Sequence, residues 1–254
     1  MKTITSKDNS TFRELLELAT DRSYRRRNTQ SLLDGEHLLE SALKAGCSPR
    51  LLALSEKASE GPLSAWVERL SDWRWVMITD ALFKRLSPVD TPTGLLAVFD
   101  IPVYRTPDPA CSILLEDIRD PANLGAILRV AAAAACGKAY LSPGCAEAWS
   151  PKCLRGGQGA HFRLSIQEDV DLTGLARELD LPIHAASLGA VNSLYDLDLS
   201  GRMGFAFGNE GSGLSPELLA ATRPFRIPMP GGMESLNVAT AAAACLFERV
   251  RQLG

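Results

Sequence analysis

The 254-residue chain contains no C-x-x-C pair, no cluster of histidines and no long uncharged apolar run. Its six cysteines (Cys47, Cys111, Cys136, Cys145, Cys153, Cys245) and three histidines (His37, His161, His184) are scattered. That pattern argues against a zinc site and a disulfide framework, and points to a reducing cytoplasm. The opening "MKTITSKDNSTFRE" has no apolar core of the kind a secretory signal carries. Of the two alanine runs, 131–135 is too short to span a membrane and 241–244 sits in an amphipathic setting. Charge is not one-sided either. The net charge of −3 exerts no global pull toward nucleic acid, with 15 Lys and Arg against 14 Asp and Glu through residue 105 and 12 against 16 beyond it. Internal repeats and low-complexity tails are also missing. No membrane and no DNA partner is expected.

What is present is ordinary globular material, 46% apolar and 22% charged, in a length that suits one large domain or two smaller ones. Through residue 105, helical and strand patterns alternate. "FRELLELATDRSYRRR" and "GEHLLESALKAG" repeat apolar residues every three or four positions, and Gly46 ends the second. "LLALSE", "RWVMIT" and "GLLAVFDIP" read as strands, with short helices in "PLSAWVERLSD" and "DALFKRLSP". The stretch "VYRTPDPA" (103–110) reads as a linker, which sets an expected boundary near residue 106: a small α/β domain over 1–105 and a second over 106–254. The second domain restarts with "CSILLED", an apolar strand of the kind buried on both faces of a parallel sheet. The strands "AYLSP", "FRLSI", "IHAASL", "MGFAFG" and "FRIPM" follow, interleaved with helices, the last from about 235 to 252. Such alternation places a ligand site at the carboxyl ends of the strands.

Three loops stand out. "EDIRDPANLGAILRVA" (116–131) has Asp120 and Pro121 as a helix start, with Arg129 about two turns in. A strand–Asp-Pro–helix turn is by itself generic. "FGNEGSGLSPE" (207–217) holds three glycines in six residues but neither G-x-G-x-x-G nor a phosphate-binding lysine, so the nucleotide motifs fail. A dinucleotide oxidoreductase is thereby excluded, and Glu210 is either an anchor for neighbouring amides or a site carboxylate. "IPMPGGMESLNVATAAAACLFERV" (227–250) puts Ser235 and Asn237 at the mouth of an alanine-rich helix. One polar residue suffices as a cap, which leaves the other free to face a site. The basic stretch "RSYRRRNTQ" (22–30), with Arg22, Arg25, Arg26 and Arg27, reads on charge alone as a solvated helix end.

Together "DPANLGAILR", "GNEGSGL" and "IPMPGGMESLNVATA" resemble the three ordered motifs of the SpoU/TrmH family of RNA ribose 2′-O-methyltransferases, in the SPOUT superfamily. The resemblance covers about residues 110 to 252, and "LRGGQGAHFRL" (154–164) resembles the family's segment between the first two motifs. More loosely, residues 1–105 resemble its small RNA-binding domain. The resemblance implies a SPOUT-type α/β trefoil-knot domain with a parallel sheet, whose knot loops bind S-adenosylmethionine in a bent shape. It also implies a homodimer formed through that domain. The small side chains of the last helix would then reflect its place in the knot, near the dimer interface.

The same resemblance carries roles to single positions. Arg129 would contact the target nucleotide as base or base-activator, with Asn123 and Glu210 bracing it and the motif loops. Ser235 and Asn237 occupy the motif-three active-site pair. Gly208, Ile227 and Leu236 would hold the cofactor's adenine and ribose, with Leu188 a further wall. Arg22, Arg25, Arg26 and Arg27 become an RNA contact surface, and the substrate is expected to be rRNA before tRNA. The alternative is a non-catalytic RNA-binding or ribosome-assembly factor on the same fold. One departure concerns the glycine usual six residues after the motif-one arginine: here Ala135 stands there and glycine comes at Gly137. That difference is expected to touch helix–strand packing rather than chemistry.

Overall fold

The computed structural model describes residues 1–87, 92–103 and 109–254. They form two compact units: Met1–Pro102 with Trp149–Phe162, and Val103–Ala148 with Arg163–Gly254. The expected boundary near 106 and most of the 103–110 linker lie outside the described residues.

In the first unit, β1 (Lys2–Ile4), α1 (Ser10–Thr20), α2 (Arg22–Asn28), β2 (Gln30–Asp34), α3 (Glu36–Lys44) and β3 (Pro49–Ser55) come first. After them come α4 (Glu56–Ser59), α5 (Ser64–Arg69), β4 (Trp75–Ile78), α6 (Asp80–Phe83) and β5 (Leu95–Asp100). The sheet order is β1-β4-β3-β5-β2, with β1 and β3 parallel to β4 and β5 antiparallel to β2 and β3. Phe12, Leu15 and Leu18 of α1 share a core with Leu32, Leu51, Val76 and Val98 of the strands. The continuous helical pattern over "FRELLELATDRSYRRR" is in fact two helices. Asp21 interrupts it with extended backbone (φ −107°, ψ 111°), and its carboxylate accepts from the N–H groups of Ser23 and Tyr24. A short acceptor side chain that can satisfy two free amides favours such a start over a helix interior.

The second unit holds β6 (Cys111–Leu115), α7 (Pro121–Ala133) and β7 (Lys138–Leu141); the chain then passes through α8 (Pro151–Gly157), which belongs to the first unit. It returns with β8 (Ser165–Gln167), α9 (Leu172–Glu178), β9 (Ile183–Ala186), β10 (Met203–Phe207), α10 (Pro216–Ala220), β11 (Arg223–Phe225) and α11 (Val238–Leu253). The strand order is β11-β9-β10-β6-β7-β8, and each of these pairings is parallel. Every residue of β6 and β10 is buried, as their unbroken apolar sequence requires of central strands covered on both faces. Because all strands point one way, the loops after β6, β9, β10 and β11 gather at one edge. The final helix packs on α7 and β10, and its Ala242 is fully buried. Its small side chains permit that close approach. No helix among the described residues is long and apolar enough to cross a membrane.

Residues 149–162 pack against β2 and β5 within the first unit. The Ser31 hydroxyl donates to the Trp149 carbonyl, and the Trp149 and Phe162 rings lie 6.0 and 5.6 Å from that of Phe99. Buried Asp34 pairs with Arg155 at 3.5 Å and accepts from the hydroxyls of Ser87 (2.6 Å) and Thr93 (2.9 Å). Nothing in the spacing of "SPKCLRGG" could announce this allegiance, because it is decided by what a helix packs on.

Ala135 shows why a glycine suits its position. It follows the end of α7 in the left-handed region (φ +58°), where Cys136 N–H donates to the Ala131 carbonyl at 2.9 Å and closes the helix. An alanine there carries a Cβ clash of roughly 1–2 kcal/mol that glycine avoids, partly offset by glycine's freer unfolded chain. Ala135→Gly should therefore stabilise the protein by about 0.5–1 kcal/mol and raise Tm by about 1–3 °C in a thermal melt. A lower Tm would contradict this account of the turn.

Candidate functional site

Asp120 caps α7 by accepting from Ala122 N–H at 2.9 Å, with Pro121 in the first turn. That start turns Asn123 toward the loop edge of the sheet. Its Nδ2 donates to Glu210 Oε1 at 2.5 Å, and its Oδ1 accepts from Asn237 Nδ2 at 3.0 Å. Asn237 is also the cap of α11, since its Oδ1 accepts from Ala239 and Thr240 N–H at 2.9 and 3.3 Å. The direction of the whole chain follows from that cap. With its oxygen committed to helix amides, Asn237 can offer only N–H to Asn123; Asn123 must then take it on oxygen and present N–H to a carboxylate. One residue from each of the three loops is thus joined in a single relay. The Glu210 carboxylate lies beside the amino end of α7, where the helix dipole favours negative charge.

Next to the relay lies a cavity of about 330 Å³. Leu188, Gly208, Ile227 and Leu236, the four residues expected to hold a cofactor, all line it, as does Ser235. Asn237 therefore does the capping that the polar pair made necessary, and Ser235 is the residue left to face the cavity. Gly208 is required by the backbone. A Cβ there would fall 2.3 Å from the Gly213 carbonyl carbon, because the loop returns across its own start, and Gly213 itself has φ +69°.

Other expected residues are not drawn in. Arg129 is six residues past Asn123 on α7, which is about 9 Å further along the axis and roughly a third of a turn away. It is exposed, and among the described residues its guanidinium has no hydrogen bond or ion pair. Arg22, Arg26 and Arg27 are exposed on α2. Arg25 is not: only 4% exposed, it donates from Nη1 to the Leu18 carbonyl at 2.7 Å. Its expected place on an RNA-facing surface is corrected to an inward, structural one, because the break at Asp21 folds α2 back on α1. Asn209, to which the motif assigns no role, also proves to hold the loop. Its Oδ1 accepts from Gly211 and Ser212 N–H (2.9 and 3.3 Å), while its Nδ2 donates to the Asp117 carbonyl at 2.9 Å. Asn two residues before glycine is the signal for such a turn.

Residues 110–247 match the SpoU rRNA Methylase family, and residues 9–97 match the MRM3-like substrate binding domain. A relative from Danio rerio, rRNA methyltransferase 3A, mitochondrial, is 30% identical over 295 residues, covering 93% of this chain and 67% of its own. The 23S rRNA (guanosine(2553)-2′-O)-methyltransferase RlmP of Bacillus subtilis (strain 168) is 29% identical, covering 97% and 98%. Among solved structures, an RNA 2′-O ribose methyltransferase superposes with TM-score 0.85 at 29% identity over 98% of each chain. The AdoMet-bound rRNA methyltransferase from Sinorhizobium meliloti shares the fold, with TM-score 0.85 at 24% identity over 100% of this chain and 98% of its own.

Asn123→Ala removes both relay bonds and leaves Glu210 and Asn237 without that partner. Amide exchange at Gly211, Ser212 and the first turn of α11 should accelerate about tenfold, the equivalent of a hydrogen bond or two at a partly exposed site. Unchanged exchange in those segments would show that the relay does not hold the loops.

Proposed function

The chain belongs to the SpoU rRNA methylase family, and on that footing we propose that it transfers a methyl group from S-adenosylmethionine to a ribose 2′-hydroxyl of structured RNA, ribosomal rather than transfer. The observation that carries this reading is the Glu210–Asn123–Asn237 relay, which gathers all three motif loops beside one cavity. The parallel sheet of the second unit and its likeness to a solved RNA 2′-O ribose methyltransferase support a SPOUT-type α/β trefoil-knot fold there, preceded by a small α/β domain.

The cavity residues suit the donor chemically. Leu188, Ile227 and Leu236 offer apolar faces for a flat purine, the turned backbone around Gly208 offers amide groups for a ribose, and the volume of about 330 Å³ is that of a small-molecule site. When bound there, the donor supplies a methyl already activated by its sulfonium charge. The 2′-hydroxyl is a poor nucleophile, so the protein's part is to hold oxygen and methyl in line at roughly 3 Å and to ease proton loss. Arginine is a poor base. The exposed, unpartnered Arg129 therefore acts with a phosphate of the substrate, orienting it toward the departing proton. Asn123, Glu210 and Asn237 keep the loops in register, and Ser235 presents its hydroxyl at the cavity wall.

Residues 1–105 take the RNA-binding role and 106–254 the methyl transfer. Exposed Arg22, Arg26 and Arg27 support contact with RNA phosphates. On α11, Phe247, Val250 and Leu253 are 50%, 36% and 52% exposed and recur every third residue along one face. An apolar stripe of that kind supports a homodimer through the C-terminal domain. The cysteines, scattered and with none in a disulfide among the described residues, support a cytoplasmic setting.

Incubated with labelled S-adenosylmethionine and ribosomal RNA, the protein should label a ribose oxygen. Arg129→Ala should lower that transfer at least about 100-fold while donor Kd stays within about threefold. Full turnover in Arg129→Ala would discard the assignment, and no transfer to any cellular RNA by the wild type would favour an assembly factor. Replacing Arg22, Arg26 and Arg27 together by alanine should weaken RNA binding and reduce the slope of log K against log salt by about 2. An unaltered slope would return those arginines to a plain solvated surface.

A further inference from the structure

Residues 208–214 wall one side of the cavity, and three side chains hold them. Two are the Glu210–Asn123 bond and the Asn209–Asp117 bond. The third belongs to Glu116, the residue that follows β6. Its Oε2 accepts the backbone N–H of Ser215 at 2.7 Å, and its Oε1 accepts the Ser215 hydroxyl at 2.7 Å. Its own N–H donates to the Phe207 carbonyl at 2.9 Å. Glu116 therefore meets the residue entering the loop through its backbone and grips the residue leaving it through its side chain. The three anchor points, the Glu116 carboxylate, the Asp117 carbonyl and the Asn123 amide, sit on one short stretch between β6 and the first turn of α7.

The chemistry of the grip is specific. Each carboxylate oxygen takes one donor of the same residue, so the backbone and the hydroxyl of Ser215 are fixed together. The Ser215 hydroxyl accepts from Leu218 N–H at 3.3 Å to cap α10, so its single proton is committed to Glu116. Between these ends lie Gly208, Gly211 and Gly213, residues with more backbone freedom to lose than any other. Unfastened, such a loop spreads over open conformations. A ligand that needs the closed one then binds more weakly in proportion to the closed fraction.

Building on the methyl-donor reading, we propose that Glu116 is a positioning residue for this cavity: by fastening the outgoing end of the 208–214 loop with its side chain it sets the cavity's shape, and with it donor affinity rather than the rate of transfer. Glu116 touches no reacting atom and acts through Ser215 and the loop. Asn209 acts in the same sense from inside the loop, through the Asp117 carbonyl.

The test uses the full chain, with binding of S-adenosylmethionine and S-adenosylhomocysteine followed by calorimetry, transfer kinetics on ribosomal RNA, and amide exchange of residues 208–214. Glu116→Ala should raise donor Kd and KM about tenfold or more, accelerate loop exchange, and leave kcat at saturating donor within about threefold. Ser215→Thr, which keeps the N–H and the hydroxyl, should bind donor like the wild type, and Ser215→Ala should fall between. Combining Glu116→Ala with Ser215→Ala should cost no more affinity than Glu116→Ala alone, because the two share one interaction. Wild-type donor affinity in Glu116→Ala, or a fall in kcat with KM unmoved, would overturn the proposal. If Glu116→Ala does not fold, equal affinity in Ser215→Ala and Ser215→Thr overturns it instead. A wild type that binds no donor sinks the functional reading and this inference together. A wild type that binds, beside a Glu116→Ala loop whose exchange is unchanged, sinks this inference alone.

Discussion

The side-chain amide of Asn123 is the constraint on which the site turns. It has one donating and one accepting face, and both are used on residues 87 and 114 positions away in the chain, Glu210 and Asn237. Aspartate at 123 would have no hydrogen to give Glu210 and would set two carboxylates against each other. Glutamine would reach a methylene too far. Because Asn237 has already spent its oxygen on the first turn of α11, the polarity of every bond in the relay is imposed from the helix end inward. A capping requirement of local helix chemistry is thereby propagated into the geometry of a cavity.

That relay can close only because the surrounding backbone lies close. The parallel sheet brings the loops after β6, β10 and β11 to the same edge, with β10 directly beside β6. The alanine-rich body of α11 lets it lie against α7, so that the two helix starts carrying Asn237 and Asn123 come within hydrogen-bond reach. Small residues have a cost elsewhere: the loop 208–214 is rich in glycine, and carboxylate and amide side chains hold it beside the packing of Leu214 at its end. The division of labour is clear. Apolar burial builds the sheet and helices, and a few charge-assisted hydrogen bonds shape what the sheet presents.

The first unit follows a different logic. Its core is a mixed sheet covered by α1, and a buried carboxylate, Asp34, joins two hydroxyls and Arg155 at the point where residues 149–162 pack in. A chain segment that leaves the parallel sheet after β7 thus completes the core of the unit that precedes it. On its surface, α2 sends Arg22, Arg26 and Arg27 to solvent and Arg25 inward, so one short helix serves both the solvent side and the packing against α1.

Alternating apolar strands and amphipathic helices, the Asp-Pro, Gly-rich and Pro-Gly loops, and the polar pair before an alanine-rich helix were legible in the amino acids alone. These are local signals, in which cap chemistry, periodicity and backbone freedom act within a few residues. The members of the relay and of the cavity wall were named through the resemblance to the family's motifs and not by such signals. The break between α1 and α2 was hidden, because Asp21 sits in an otherwise unbroken helical pattern and only its cap bonds reveal the start of a new helix. The inward turn of Arg25 follows from that break, and the attachment of 149–162 to β2 and β5 from strand order. The grip of Glu116 on Ser215 spans 99 residues and depends on β6 lying beside β10. Sequence determined which groups could donate, accept, cap or bend; the tertiary structure decided which of them meet, because strand order and helix packing are set by the burial of the whole chain and not by any local spacing.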